Sequence, residues 1–228
     1  MVEGARKIGE LSFDEDGPEY HPKLAVPFTE KLSDVFAAEG FAPGTRLTDL
    51  AAFIDVLGPE SRIGSLVSDR LDGNAFPVRA IAFDKSPSAN WSLGWHQDRT
   101  ICVKRRADVE GFGPWTTKQG LLHVQPPFSI TQNMATVRIH LDPVNGLNAP
   151  LKVALGSHLL GRIAEGDASH IAASCQEHVC LANRGDVWLY TTAILHASDR
   201  TIGKRRRRVL QIDYSADTLP YPLEWLLR

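Results

Sequence analysis

What the chain lacks narrows its class first. Three cysteines in 228 residues, Cys102, Cys175 and Cys180, make an odd number without metal-finger spacing, which fits a reducing compartment better than a disulfide framework. No run of 18 apolar residues occurs, so no membrane-spanning helix is expected, and Met1 to Lys7 carries no hydrophobic block of a signal peptide. An excess of one charge is missing as well. With 25 Lys and Arg against 27 Asp and Glu, the formal net charge is −2, and no broad cationic face is available for a phosphate backbone. Internal repeats and low-complexity segments are absent. The expectation is a cytoplasmic protein that meets neither membrane nor nucleic acid.

What is present suffices for one core. At 43% hydrophobic and 23% charged, residues 1–228 read as a single domain. Its two parts differ in pattern. From Thr29 to Gly73 the chain reads as helical. Thr29 can cap a helix with Leu32, Val35 and Phe36 on one face, ended by Gly40. Thr48 can cap a second, carrying Leu50, Phe53, Ile54 and Leu57 and stopped by Gly58-Pro59. A third carries Ile63, Leu66, Val67 and Leu71 before Asp72-Gly73-Asn74. After Phe76 the reading changes to short strands between turns rich in Pro, Gly, Asn and Asp. A helical part over about residues 1–75 and a stranded part over about 76–228 predict an α+β fold, with N-terminal helices packed on an antiparallel double-stranded β-helix, or jelly roll. Lys104 to Gln119 is the longest stretch without clear secondary structure, a length at which loops commonly bind or cover something.

The most informative motif is Trp95-His96-Gln97-Asp98. On a strand, residues i and i+2 share a face, so His96 and Asp98 can converge on one ion while Gln97 turns away. The third ligand must come from a distant strand. His196 suits that role, because Val187-Trp188-Leu189-Tyr190 and Ala193-Ile194-Leu195-His196 read as short apolar strands after the turn at Arg184-Gly185-Asp186. Two His and one carboxylate on one face of an octahedral ion leave three cis positions open, as non-haem Fe(II) oxygenases require. The residues alone leave alternatives. A second His-x-Asp, His140-Leu141-Asp142, follows the apolar run Met134 to Ile139. The triad also suits a zinc hydrolase, or a jelly-roll module that binds metal or ligand without turnover.

Five motifs in order carry a family resemblance: Trp95-His96-Gln97-Asp98, Arg138-Ile139-His140-Leu141-Asp142, Gly156-Ser157-His158, Gly185-Asp186-Val187 and His196-x-Ser198. From about Val78 to Tyr214 the chain resembles the phytanoyl-CoA hydroxylase family of Fe(II)- and 2-oxoglutarate-dependent dioxygenases. The resemblance implies iron on His96, Asp98 and His196, with His140 in a structural strand. It implies 2-oxoglutarate and O2 as cosubstrates, and hydroxylation of an unactivated C–H bond of a small organic molecule with release of succinate and CO2. It also implies an Arg on the far carboxylate of 2-oxoglutarate. Within Lys204 to Arg208, the family offset selects Arg207, eleven residues beyond His196, with Arg205 second. A planar guanidinium can grip a carboxylate through two parallel hydrogen bonds. Alternation places Arg206 and Arg208 on the opposite face, and the basic run can otherwise be read as a solvated strand edge. Trp115, Gln97, Ser198 and Lys85 are carried over as further groups around the cosubstrate. Two departures concern a loop: Ala149 stands where the family has Gly, which implies that position 149 need not adopt positive φ, and Leu155 replaces a Pro.

Overall fold

The computed structural model describes residues 8–86 and 89–228. The reading of Met1 to Lys7 lies outside them. Strand β1 (Pro18–His21) precedes helix α1 (Thr29–Glu39), strand β2 (Thr45–Leu47) and helices α2 (Ile54–Leu57) and α3 (Arg62–Arg70). Strands β3 (Phe76–Lys85), β4 (Leu93–His96), β5 (Ile101–Val103), β6 (Trp115–Lys118) and β7 (Leu121–Val124) follow. Helix α4 (Phe128–Gln132) leads into β8 (Met134–His140) and β9 (Leu151–Ala154), and α5 (Ala168–Ser174) into β10 (Glu177–Cys180). The chain then runs through β11 (Val187–Thr191), β12 (His196–Ser198) and β13 (Arg207–Ser215).

These strands form a six-stranded sheet in the order β1-β11-β8-β13-β3-β2, a four-stranded sheet β10-β9-β12-β4 and a three-stranded sheet β5-β7-β6. Every strand pairing between them is antiparallel. The architecture is the expected α+β jelly roll, and period-two alternation in the large sheet decides its two faces. One face carries Ala80, Ala82, Ala135, Val137, Ile139, Val187, Leu189, Leu210 and Ile212, all buried in one cluster with Leu32, Phe36, Val56, Leu57, Ile63 and Val67 of the helices. The helices therefore cover the outside of the sheet. The other face is polar and runs in cross-strand rows: Lys85 with Arg207, Phe83 with Val209 and His140, Ile81 with Gln211 and Arg138, and Arg79 with Asp213 and Thr136.

The N-terminal half departs from the sequence expectation in three ways. It contributes β1 and β2 to the large sheet, so it is not wholly helical. Thr29 is the first residue of α1 rather than its cap, and its hydroxyl donates to the Val26 carbonyl. The helix expected after Thr48 is a 3-10 turn, Ala51–Phe53, joined to the short α2, with Leu50 preceding it. Ser61, by contrast, caps α3, accepting from Gly64 N at 2.9 Å. Gly40 ends α1 with φ of 55° as expected.

Among the later elements, Ala193 to Leu195 form a turn, and β12 begins only at His196. Lys104 to Gln119 is shorter as a loop than the sequence suggests, because β6 starts at Trp115. Position 149 reverses its expectation outright: Ala149 has φ of 57°. The turn thus keeps the left-handed residue that a Gly would accommodate more easily. At Gly185, φ is 86° and an added Cβ would lie 2.9 Å from the Val26 backbone, so only Gly fits the turn that feeds β11.

Burial of Leu210 between the large sheet and the helices is complete. Leu210→Ala should cost about 2–5 kcal/mol in urea unfolding, against about 0.5 kcal/mol or less for Ile202→Ala, whose side chain is 79% exposed.

Candidate metal centre and its cleft

Strands β4 and β12 lie side by side with His96 opposite His196. Their rings sit 4.3 Å apart between centroids. Each ring directs Nδ1 at a carbonyl two residues earlier, His96 at Gly94 O (2.7 Å) and His196 at Ile194 O (3.0 Å). A carbonyl only accepts, so both Nδ1 atoms carry the proton and both Nε2 atoms keep a free lone pair. Burial, followed by the neighbouring His96, pushes the His196 imidazole down to about 4 and keeps it neutral.

Asp98 lies two residues beyond the end of β4, not on the strand with His96. Its position comes instead from Arg79 on β3, whose Nη2 donates to Asp98 Oδ2 at 2.8 Å while its Nε donates to Asp213 Oδ2 at 2.5 Å. Asp213 also accepts from Thr136 at 3.1 Å. Although burial alone would raise the Asp98 carboxyl, the Arg79 guanidinium beside it holds it well below the usual carboxylate range. One ligand atom from each of His96, Asp98 and His196 lies within 4.8 Å of the others. Two imidazole nitrogens and one anionic oxygen, held in place before any ion arrives, fit a divalent first-row metal.

The centre opens into a cleft of about 880 Å³ whose wall includes Ile81, Phe83, Trp91, Leu93, Arg138 and Arg207. Arg207 is 4% exposed. One Nη donates to the Ala149 carbonyl, and its buried Nε has no partner. Arg138 projects from the same face and donates to Gln211 Oε1 at 2.5 Å. Burial, then Arg138, pushes the Arg207 guanidinium down to about 9. A guanidinium keeps its proton at neutral pH, so Arg207 stands as a buried charge without a carboxylate partner.

The run Lys204 to Arg208 is sorted by these surroundings. Arg206 pairs with Asp84, Arg208 is bidentate on Asp142, and Arg205 is exposed ahead of β13. Of the run, only Arg207 lines the cleft.

The other residues carried over from sequence divide. Ser198 lines the cleft, 3.4 Å from Lys85 Nζ. Lys85 is buried, donates to Asp199 O at 2.7 Å and lies 5.0 Å from the Trp91 ring. Burial, then Arg207 and Arg138, lowers its ammonium to about 8. Gln97 spends its amide on the framework: Nε2 donates to Gly161 O and Ala193 O, and Oε1 accepts from Ile163 N. Both of its N–H donors are thereby used. Trp115 is turned away from the cleft. On β6 the pleat sends Thr116 and Lys118 to the cleft wall, while Trp115 joins Ile101, Val103 and Val124 in an apolar cluster, with Arg106 over its ring. His140 is buried with neither ring nitrogen partnered, and burial holds it neutral. Arg79, Asp213, Arg138 and Gln211 are not singled out by the sequence reading; alternation along β3, β8 and β13 puts them on the inner face, but only register brings them together.

An iron-capable face with a buried, carboxylate-free guanidinium beside it, inside a jelly roll, defines the non-haem iron and 2-oxoglutarate oxygenases. The chain belongs to the phytanoyl-CoA dioxygenase (PhyH) family, whose profile matches residues 25–209. Iron(II), 2-oxoglutarate and O2 are the cofactors and cosubstrates of that family. AviO1 from Streptomyces viridochromogenes Tue57 shares the fold at TM-score 0.63 and 21% identity, over 91% of this chain and 93% of its own. EctD from S. alaskensis, crystallised with bound Fe, does so at 0.66 and 15%, over 92% and 77%. HygX from Streptomyces hygroscopicus, with nickel and 2-oxoglutarate bound, matches at 0.58 and 16%, over 89% and 84%. No curated protein matches the sequence. No helix of the described residues is long and apolar enough to cross a membrane.

The buried histidines set the acid response of the metal-free protein. His123 and His196 both titrate near 4, chiefly through burial, against about 6.5 in an unfolded chain. Between those values the unfolded chain binds protons that the folded one does not, so stability falls as pH drops from about 6.5 to about 4. Urea midpoints at pH 7 and pH 4.5 should show that loss, and His123→Gln should make it shallower. An unchanged slope in the variant would contradict the assignment.

Proposed function

We propose that this oxygenase hydroxylates an unactivated C–H bond of a small organic substrate in the cytoplasm, with iron held by His96, Asp98 and His196 and the far carboxylate of 2-oxoglutarate held by Arg207. The observation that carries the reading is the pairing of features on one cleft wall: a His/Asp/His face beside a buried guanidinium that has no carboxylate partner. A zinc-water hydrolase using the same triad, or a module without turnover, has no use for that guanidinium.

Bound iron with its oxoacid supplies the activation of oxygen, with succinate and CO2 as coproducts. The chain supplies position and charge. His96 and His196 offer Nε2 because their Nδ1 protons are engaged by Gly94 and Ile194. Arg79 keeps Asp98 anionic and fixes which oxygen faces the imidazoles. Arg207, with Arg138 behind it, offers donors to a carboxylate in a site where an unpaired charge would be costly. Ile81, Phe83 and Leu151 line the space between and exclude water.

Anaerobic Fe(II) and 2-oxoglutarate should give the weak visible charge-transfer band of a chelated oxoacid, abolished by Asp98→Ala or His196→Ala. Aerobic supply of a substrate should yield succinate above the uncoupled background. Absence of both in metal-loaded wild-type protein would refute an oxygenase.

Within the basic run, Arg207→Ala should weaken 2-oxoglutarate binding by roughly 10²-fold or more, equivalent to about 3 kcal/mol for a lost buried charged partner. Arg206→Ala and Arg208→Ala should change it little, since their partners are Asp84 and Asp142 on the opposite face. Equal losses at all three positions would mean a diffuse basic patch.

A further inference from the structure

The cleft wall carries Arg46, Arg79, Arg99, Lys118, Arg138 and Arg207 but only two carboxylates, Asp98 and Glu165. Asp98 is taken by Arg79, which also holds Asp213, and Glu165 lies 3.6 Å from Arg99. An iron(II) ion and a 2-oxoglutarate dianion cancel in charge, so their arrival leaves the cationic excess as it was. Arg138 and Arg207 sit together at the end assigned to the oxoacid's far carboxylate. Arg46 and Lys118 remain, and no carboxylate of the described residues pairs with either.

Their placement is built rather than incidental. Arg46 on β2 stands opposite Ile81 on the inner face of the large sheet, and its buried Nε has no partner. Lys118 shares the cleft side of β6 with Thr116. A two-residue turn, Gln119 and Gly120 with φ of 52° and 79°, closes the β6–β7 hairpin. The Gln119 side chain straps that hairpin to β2: Oε1 accepts from Arg46 N at 2.9 Å, and Nε2 donates to Gly44 O at 3.1 Å. Lys118 is thereby brought beside Arg46, on the flank of the cleft near Asp98. Arg46 is half-buried and Lys118 exposed at the rim; partial burial, then Arg79, lowers both, and Asp98 raises both. Trp91, Leu93 and Trp95 give the same cleft an apolar wall.

Resting on the oxygenase reading above, we propose that Arg46 and Lys118 form the anion subsite for the substrate, which is a small molecule with an apolar body and one carboxylate or phosphate group. Two cations without a salt-bridged carboxylate bind such a group and set how far along the molecule the oxidised carbon lies.

The test uses the full chain loaded with Ni(II) and 2-oxoglutarate, and separately the metal-free chain, with tryptophan fluorescence as readout because Trp91 and Trp95 line the cleft. The probes are 3-phenylpropanoate against 3-phenylpropanamide, and phenyl phosphate against phenol. The anion of at least one pair should bind about tenfold or more tighter than its neutral partner, and the pair that shows it tells carboxylate from phosphate. Arg46→Gln and Lys118→Gln should each remove most of that preference, while leaving 2-oxoglutarate affinity within about twofold of wild type. Equal affinity for acid and neutral probes, no response to either anion, or an undiminished preference in both variants would overturn the subsite. A wild-type protein that binds no 2-oxoglutarate yet prefers the anions would instead fail the oxygenase reading and leave the subsite standing.

Discussion

The guanidinium of Arg79 is the contact on which the arrangement of the centre depends. It joins a carboxylate of the metal-binding face, Asp98, to one in the middle of the large sheet, Asp213, and Asp213 is braced in turn by Thr136 on the next strand. Asp98 has no strand of its own to fix it, since β4 ends at His96. Without Arg79 the buried Asp213 and the half-buried Asp98 would face each other with no cation between them, and truncating one partner of a buried pair typically costs about 3–5 kcal/mol. The ion-pair chain therefore serves folding and chemistry together. It keeps an anion at the mouth of the barrel and sets it in register with the imidazoles of His96 and His196.

From that fixed end the inner face of the large sheet reads as a sequence of tasks. The Arg79–Asp213 row holds Asp98, and the Ile81–Gln211–Arg138 row follows. Beyond the apolar Phe83–Val209–His140 row comes the Lys85–Arg207 row, where positive charge accumulates. Successive rows are two residues apart, about 7 Å along a strand, so the Arg79–Asp213 row and the Lys85–Arg207 row mark the two ends of this inner face. Outside the same strands, Ala, Val, Ile and Leu alternate with these polar residues and bury against the helices. One alternating pattern thus builds the core on one side and the cleft on the other.

Much of this was legible in the sequence because it rests on local spacing. His96, Asp98 and His196 were picked out as a triad, and alternation separated Arg207 from Arg206 and Arg208. What was not legible depends on register between distant strands. Nothing near Arg79 in sequence announces that β13 will bring Asp213 opposite it. Trp115 was misplaced for the same reason. Within an unassigned loop it had no pleat, and once β6 forms there, Thr116 and Lys118 take the cleft side. Gln97 looked available because it flanks two ligands, yet the turn at Ala193 and the loop at Gly161 and Ile163 consume its amide.

Ala149 shows how a local rule yields to a tertiary contact. A left-handed conformation costs a non-glycine residue about 1–2 kcal/mol, which is why Ala suggested a different turn. In the folded chain that conformation presents the Ala149 carbonyl to an Nη of Arg207 and, at 3.4 Å, to the Ser198 hydroxyl. A carbonyl is neutral, so it orients the guanidinium without quenching its charge, as a carboxylate at the same place would. The strain at position 149 and the unpaired charge at position 207 then belong to one device. The loop holds the arginine pointing into the cleft and leaves its charge for a ligand.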